Sequence, residues 1–271
     1  MAEKKRLDVT LVARGLAESR EKAQAMIMAG QVYIGERKAL KPAEALKPEE
    51  EERLSVRAAA HHYVSRGALK LEKALNVFDV QPQGVVAMDL GASTGGFTDV
   101  LLQSGAAHVY AVDVGYGQLD WKLRNDVRVT VMERTNARYL RLEDMPLHPT
   151  LGVMDVAFIS ITKILPAAFA ILGEDGVFIS LIKPQFEAGR ERVGKKGVVR
   201  DPQVHADVIR ECISFVRTQG WEAQALAFSP IRGPEGNIEF LVHLLPAARA
   251  THAVTEEEIL STVREANASV T

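Results

Sequence analysis

A chain of 271 residues, 47% of them hydrophobic, can bury a large core and suits one large domain with a smaller companion. Lys and Arg number 33 against 35 Asp and Glu, so no whole-molecule field draws in a polyanion, and any nucleic-acid site has to come from local clusters of basic residues. The single cysteine, Cys212, excludes a disulfide framework and a CxxC metal site, and no apolar run approaches the roughly 18 residues of a membrane span.

The first elements lie between Arg6 and Leu46. Leu7, Leu11, Val12 and Leu16 fall at helical spacing, and Gly15 can end that helix. Ser19 is a candidate N-cap for a second helix carrying Ala23, Met26 and Ile27, which Gly30 closes before "QVYIG" alternates as a short strand. Around this unit stand Lys4, Lys5, Arg6, Arg14, Arg20, Lys22, Arg37, Lys38 and Lys41, opposed by Asp8, Glu18, Glu21 and Glu36. From charge alone such a cluster reads as a solvated face. Residues 47–62 are charged, with a proline and an acidic run, and read as a linker with room for a strand at "RLSV". His61 and His62 have no metal-ligand spacing. The expected organisation is a first domain over 1–60, a second over 61–248 and a tail helix over 249–271, which opens with Thr255 and Glu258 in capping-box spacing.

"YVSRGALKLEKAL" opens the second domain as an amphipathic helix carrying Lys70. Short apolar runs then alternate with helical patterns, as in a doubly wound sheet. "GVVAMDLG" predicts a strand ending at Asp89, followed by a helix from Gly96, and "HVYAVDVG" a strand ending at Asp113. "RVTVMER", "LGVMDVAFISI" and "GVFISLIKPQF" supply three more, and "EAQALAFSP" with "NIEFLVHLL" completes seven. Cys212 falls on the apolar face of a helix between the fifth and sixth. A glycine-rich strand-to-helix turn lets backbone approach a ligand, and an acidic residue ending the next strand can accept ribose hydroxyls. Gly91, Ser93 and Gly96 spell G-x-S-x-x-G rather than the dinucleotide fingerprint.

Three resemblances follow from these residues. "RLD", Gly15, Ser19 with Arg20, and "IMAGQVYI" resemble the S4 RNA-binding module, which implies RNA contacts at Arg6, Arg14, Ser19, Arg20, Lys22 and Lys38, mainly to phosphates. Asp89, the small residues through Gly95 and Gly96, and Asp113 resemble the S-adenosylmethionine-binding, Rossmann-like fold. That likeness implies S-adenosylmethionine as cofactor, held by Asp89, Gly91, Ser93, Gly95, Gly96, Phe97 and Asp113, with a carboxylate facing the methionine ammonium. The order Lys70, Asp155, Lys183, Glu239 resembles the K-D-K-E tetrad of RNA 2'-O-ribose methyltransferases. Together with "DLGASTGGFTD", "ERTNAR", "KPQFEAGRERVGKKGVVRDP" and "SPIRGPEGNIEFL", these features make the chain similar to the TlyA family of bacterial ribosomal-RNA methyltransferases, also labelled hemolysin A, with an FtsJ-like catalytic domain. Ala68 departs from the glycine more usual there.

In such a fold strands four, five and seven are neighbours and the seventh is reversed, so Asp155, Lys183 and Glu239 meet at one sheet edge, about 4.8 Å per strand apart, with Lys70 reaching in. A ribose 2'-hydroxyl is a poor nucleophile and must lose its proton as it attacks a sulfonium methyl. A lysine accepts that proton only when neutral, against a reference pKa near 10.4. The expected roles are Lys183 as base, Lys70 orienting substrate, and Asp155 and Glu239 holding both lysines. Ser65, Arg66, Arg190, Arg192, Lys195, Lys196 and Arg200 are expected to grip RNA phosphates, against the alternative of a mobile solvated loop. "ERTNAR" either touches cofactor or shapes the cleft, and Tyr116, Trp121, Phe97 and Phe186 are expected to be core or cofactor wall. The expected protein is a cytoplasmic, monomeric enzyme whose partner is ribosomal RNA or a ribosomal subunit, with no metal and no membrane. The rivals are a non-catalytic assembly factor, a small-molecule methyltransferase and a membrane-active hemolysin.

Overall fold

The computed structural model describes residues 5–269 apart from 18, 29–30, 36, 40, 57–62 and 234, and leaves the side chains of 25, 28, 38 and 195 undescribed. Gly30, His61 and His62 therefore lie outside the described residues, as do the side chains of Lys38 and Lys195. The chain divides into two compact units, Met1–His62 and Tyr63–Thr271.

In the first unit β1 (Lys5–Arg6) runs into α1 (Leu7–Ala13), followed by α2 (Arg20–Met28), β2 (Val32–Ile34), β3 (Arg37–Lys38), β4 (Ala45–Leu46), the single turn α3 (Pro48–Glu51) and β5 (Leu54–Val56). Leu7, Leu11, Ala23 and Ile27 from the helices meet Val32, Ile34, Leu46 and Leu54 in a small closed core. Gly15 turns the chain with φ +67° just past α1, where a Cβ would add strain. The Ser19 hydroxyl accepts from the Lys22 amide at 3.2 Å, capping α2. The start of the supposed linker belongs to this unit, because Leu54 is apolar and β5 adds to β2 as an antiparallel neighbour.

The second unit opens with α4 (Ala68–Phe78) and continues as β6 (Val86–Leu90), α5 (Gly96–Gln103), β7 (His108–Val112), α6 (Trp121–Arg124), β8 (Val129–Met132), β9 (Leu151–Met154), α7 (Leu165–Leu172), β10 (Val177–Ile182), α8 (Pro184–Glu187), α9 (Pro202–Thr218), β11 (Trp221–Phe228), β12 (Phe240–Pro246) and α10 (Glu256–Ser269). Its seven strands are ordered β11-β12-β10-β9-β6-β7-β8. β12 pairs antiparallel with both neighbours, while the pairs from β10 to β8 are parallel. Both faces of so parallel a sheet must be covered, which is why its strands read as continuous Val, Ile and Leu. One face is covered by α4 and α5 through Leu71, Ala74, Phe97 and Leu101. The other is covered by α7, α9 and α10, with Phe169, Ile209, Cys212, Ile259 and Val263 in the same core. α10 thus packs on the sheet as an integral layer, and Thr255 and Glu258 close their capping box at its start.

The fourth strand is shorter than its apolar run. β9 stops at Met154, and "DVAFIS" leaves the sheet as a loop in which Phe158 takes φ +65° and stands 92% exposed. Sheet order reverses between β9 and β6, so a crevice opens beyond their carboxyl ends, the usual ligand position in open α/β sheets.

Candidate active site

A cavity of about 630 Å³ fills that crevice. Its walls include Gly91, Ser93 and Gly96 of the glycine turn, Phe97 at the start of α5, Asp113 after β7, and Lys70, Asp155 and Lys183. Each side chain arrives from a separate element: Lys70 from the first turn of α4, Asp155 and Lys183 from the residues just past β9 and β10, and Glu239 from the residue before the reversed β12.

The four charged groups form one chain of ion pairs. Asp155 Oδ1 lies 2.5 Å from Lys183 Nζ, and Oδ2 accepts from Lys70 Nζ at 3.1 Å. Lys70 Nζ also lies 2.6 Å from Glu239 Oε2. The 2.5 and 2.6 Å contacts are ion pairs by distance whose angles miss hydrogen-bond alignment, leaving Asp155 Oδ1 and both Glu239 oxygens without an aligned donor among the described residues. One expectation is corrected: Asp155 holds both lysines, whereas Glu239 pairs with Lys70 alone among the described ion pairs. Glu239 is buried behind Lys70 and does not wall the cavity, because β10 stands between β9 and β12.

Both ammonium groups are largely withdrawn from solvent, Lys70 at 8% and Lys183 at 11% exposure. Burial works against the charged form of Lys70, but Asp155 and Glu239 outweigh it and hold the ammonium above its ordinary value. Burial likewise pushes the Asp155 carboxyl up, and Lys183 and Lys70 together bring it below the usual carboxylate range. Each buried charge is thus matched by a neighbour, as a low-dielectric site requires.

The glycine turn is crowded by design. Gly91 has φ +88°, and a Cβ there would stand 2.8 Å from the Asp155 carbonyl oxygen. A Cβ on Gly96 would strike Ser65 Oγ and come within 3.1 Å of the Ala68 amide nitrogen, so the α4 entry rests directly on the turn. Ala68, the departure from glycine, is itself fully buried and tolerated. Asp113 is held rigid by the Ser93 amide at 2.8 Å and the Gly115 amide at 2.7 Å.

Two cofactor expectations are displaced. The Asp89 side chain does not wall the cavity: it is fully buried, with Oδ2 accepting from Thr98 at 2.7 Å and Oδ1 without a described partner. Burial pushes its carboxyl up to about 7. The last residue but one of β6 points its side chain into the sheet's cover, whereas the loop beyond the strand faces the crevice. Gly95 is likewise a packing residue, because a Cβ on it would run into the side chains of Leu119 and Leu123. Conversely, Thr135, Asn136 and Arg138 from "ERTNAR" wall the cavity, as do Gln118, Val156, Ala157 and Phe158. Of the expected wall residues, Phe97 lines the cavity, whereas Tyr116 and Trp121 are exposed. Phe186 packs against Phe158, ring centres 5.2 Å apart.

The expected RNA-gripping residues have mixed roles. Ser65 walls the cavity and Arg66 donates to the Arg232 carbonyl at 2.9 Å. Arg190 is exposed; Arg192 is tied to Glu211, while Lys196 (φ +67°) and Arg200 line a second hollow with it. This loop is held by Asn237, which accepts from the Val199 amide and donates to the Gly197 carbonyl, each at 2.9 Å. In the first unit Arg6 and Arg20 both bond Asp8, and Arg14 donates to the Glu51 carbonyl.

Seven strands with one reversed, a glycine turn over the switch point, and a lysine at a strand tip paired with an acid at the next define the methyltransferase class. The profile of the FtsJ-like methyltransferase family matches residues 63–245 and that of the S4 domain residues 5–51. The chain belongs to the FtsJ-like methyltransferase family and carries an S4 domain, and relatives that it matches are named TlyA and hemolysin A. It is 52% identical to YqxC of Bacillus subtilis, provisionally named an rRNA methyltransferase, over 98% of this chain and 95% of that one. It is 46% identical to the 16S/23S rRNA (cytidine-2'-O)-methyltransferase TlyA of Mycobacterium tuberculosis, over 90% of this chain and 91% of that one. A solved structure from Streptococcus thermophilus, provisionally named a hemolysin, superposes with a TM-score of 0.78 at 44% identity, covering 98% and 96% of the two chains. A provisionally named S-adenosylmethionine-dependent methyltransferase from Listeria monocytogenes shares the fold alone, with a TM-score of 0.50 at 16% identity over 66% of this chain and 97% of that one.

Proposed function

We propose that the protein transfers a methyl group from S-adenosylmethionine to the 2'-hydroxyl of a cytidine ribose in ribosomal RNA. The observation that carries this reading is the Glu239–Lys70–Asp155–Lys183 chain of ion pairs, whose last three members wall a 630 Å³ cavity. The cavity fits the cofactor in two ways: its glycine turn offers backbone where a Cβ would not fit, and Asp113 is fixed by two amides with a lone pair left on each oxygen. Gly91, Ser93, Gly96, Phe97 and Asp113 would hold it, with Asn136 and Gln118 beside them. When bound, the cofactor supplies an electrophilic methyl group on a positively charged sulfur.

The chain's own residues then do the following. Lys183, having released its own ammonium proton to solvent beforehand, takes the proton of the 2'-hydroxyl in its neutral form as the oxygen attacks. Asp155, shared between the two ammonium groups, aims the Lys183 amine. Lys70, kept protonated by its two carboxylates, places a fixed positive charge where negative charge grows on the ribose oxygen. Phe158, exposed at the cavity edge, offers a stacking face for the nucleobase. Arg6, Arg14, Arg20 and Lys22 in the first unit, and Arg190, Lys196 and Arg200 in the second, are proposed to meet RNA phosphates. Among the described residues no helix is long and apolar enough to cross a membrane.

The test uses ribosomal subunits from a strain deleted for this gene, S-adenosylmethionine, and mass-spectrometric mapping of 2'-O-methylated nucleotides. The expected result is 2'-O-methylation of at least one cytidine by the parent protein, in small-subunit rRNA, large-subunit rRNA or both. Lys183→Met is expected to lose at least about a hundredfold in rate while binding cofactor within about twofold of the parent, as for a group that acts on substrate rather than cofactor. Normal transfer by that variant would overturn the reading.

A further inference from the structure

Glu187, in the last turn of α8, is a mostly buried acid that the chemistry above leaves without a task. One carboxylate oxygen accepts from the Ser160 hydroxyl at 2.6 Å and the other from the Ile161 amide at 2.9 Å. Burial pushes its carboxyl above the usual range, and the Ser160 and Ile161 bonds pull the other way. An acid kept in such a place is held there by what it binds.

What it binds is the far end of the loop 155–160. That loop leaves the sheet early: β9 and β10 stay in register only to Met154 and Ser180, so Asp155 and Lys183 both stand beyond the parallel ladder that joins their strands. The near end of the loop is fixed by the Asp155 amide, which donates to Leu90 O at 3.1 Å, and by its close approach to Gly91. Between the two ends Phe158 holds φ +65°, a conformation costly for a bulky side chain that persists only where the surroundings over-determine it. The Phe186 ring beside Phe158 belongs to the same short helix as Glu187, and that helix begins immediately after Lys183.

We propose that Glu187 is a positioning residue, a latch that fastens the 155–160 loop to α8 and so keeps Asp155 and Phe158 in place against Lys183. The proposal rests on the methyltransferase reading for its consequence, but its geometry can be tested without it. Glu187 does not wall the cavity; it acts through the loop.

The experiment compares the full-length parent with Glu187→Ala, Glu187→Gln and Ser160→Ala. In hydrogen exchange the Ile161 amide is expected to exchange about tenfold faster in Glu187→Ala, as for loss of a hydrogen bond to a charged acceptor, and near the parental rate in Glu187→Gln, which keeps an acceptor oxygen. With unmethylated ribosomal subunits as substrate, Glu187→Ala is expected to raise KM and lower kcat each by about threefold to tenfold, while its affinity for S-adenosylmethionine stays within about twofold, because a loosened loop misplaces the nucleotide and Asp155 together. Ser160→Ala, which keeps the Ile161 bond, should fall between parent and Glu187→Ala and serves if the latter does not fold. Unchanged Ile161 exchange in Glu187→Ala overturns the latch whatever the activity. So does a Glu187→Gln variant as impaired as Glu187→Ala, which would assign the effect to charge. A parent inactive on every ribosomal substrate, with Ile161 exchange accelerated as expected, ends the methyltransferase reading and keeps the latch.

Discussion

Two aspartates, one in each unit, each hold a pair of cations, and they differ in which cations those are. Asp8 is sealed from solvent and receives Arg6 through two aligned bonds of 3.0 and 2.9 Å, Arg20 at 3.0 Å and Gln24 at 2.9 Å. Its carboxyl is held well below the usual range, first by the Arg6 bond, against burial, then by Gln24 and Arg20. Asp155 instead holds two lysines, one through an unaligned contact. Arg6 and Arg20 remain about half exposed, at 46% and 52%, whereas Lys70 and Lys183 are withdrawn. An arginine fork aligned on a carboxylate is a permanent charge fixed in direction, while a buried lysine can give up its proton. The same acid therefore makes an electrostatic anchor in one unit and, in the other, a site suited to the proposed proton transfer.

The sharpest way to break that contrast is to exchange the cations. Lys183→Arg keeps the charge and forbids deprotonation, so methyl transfer to ribosomal subunits should fall by about a thousandfold or more, measured as initial rate with cofactor saturating. Asp155→Asn leaves two buried ammonium groups short of a counter-charge; transfer should fall by about a hundredfold, and the melting temperature of the catalytic unit should drop, as for removal of one partner from a buried pair. Asp8→Asn should act on stability through pH. The folded pKa of Asp8 is depressed, so its contribution is complete above the unfolded value near 4 and is lost as pH falls below it. The parent should melt several degrees above the variant at pH 7, by about 4 °C or more, and the gap should close below about pH 4 in thermal scans. Arg20→Lys is the mildest: rRNA affinity should fall by no more than about threefold with an unchanged salt slope, because the charge is kept and only the fork is lost. A thousandfold loss there, or none in Lys183→Arg, would erase the distinction between the two aspartates.

Most of the charged cluster proposed to be catalytic is legible in the chain. Lys183 is readable because a charged residue ends an apolar run and precedes a proline, and Asp155 because it interrupts one. Asp113 follows its strand and lines the crevice as expected. Periodicity is weaker at locating strand ends. "LGVMDVAFISI" reads as a single strand, yet only Leu151–Met154 pairs. The remainder turns out under the constraint of Gly91 and Glu187, residues far away in sequence. Asp89 misleads for the opposite reason. It lies inside a strand end, where the pleat rather than residue type decides whether a carboxylate faces ligand or core. Asp8 looks like one of four scattered counter-charges among nine basic residues until α1 and α2 bring Arg6, Arg20 and Gln24 around it.

The order of residues along the chain thus determined the two units, the alternating strands and helices, and the four charged residues that meet, because burial patterns and turn glycines are local signals. Tertiary structure alone decided which acid serves which lysine, which glycines line the cavity and which face leucine, and how the Phe158 loop is held. Those outcomes depend on distances between segments that local physics leaves free until the sheet is assembled and its reversed strand is in place.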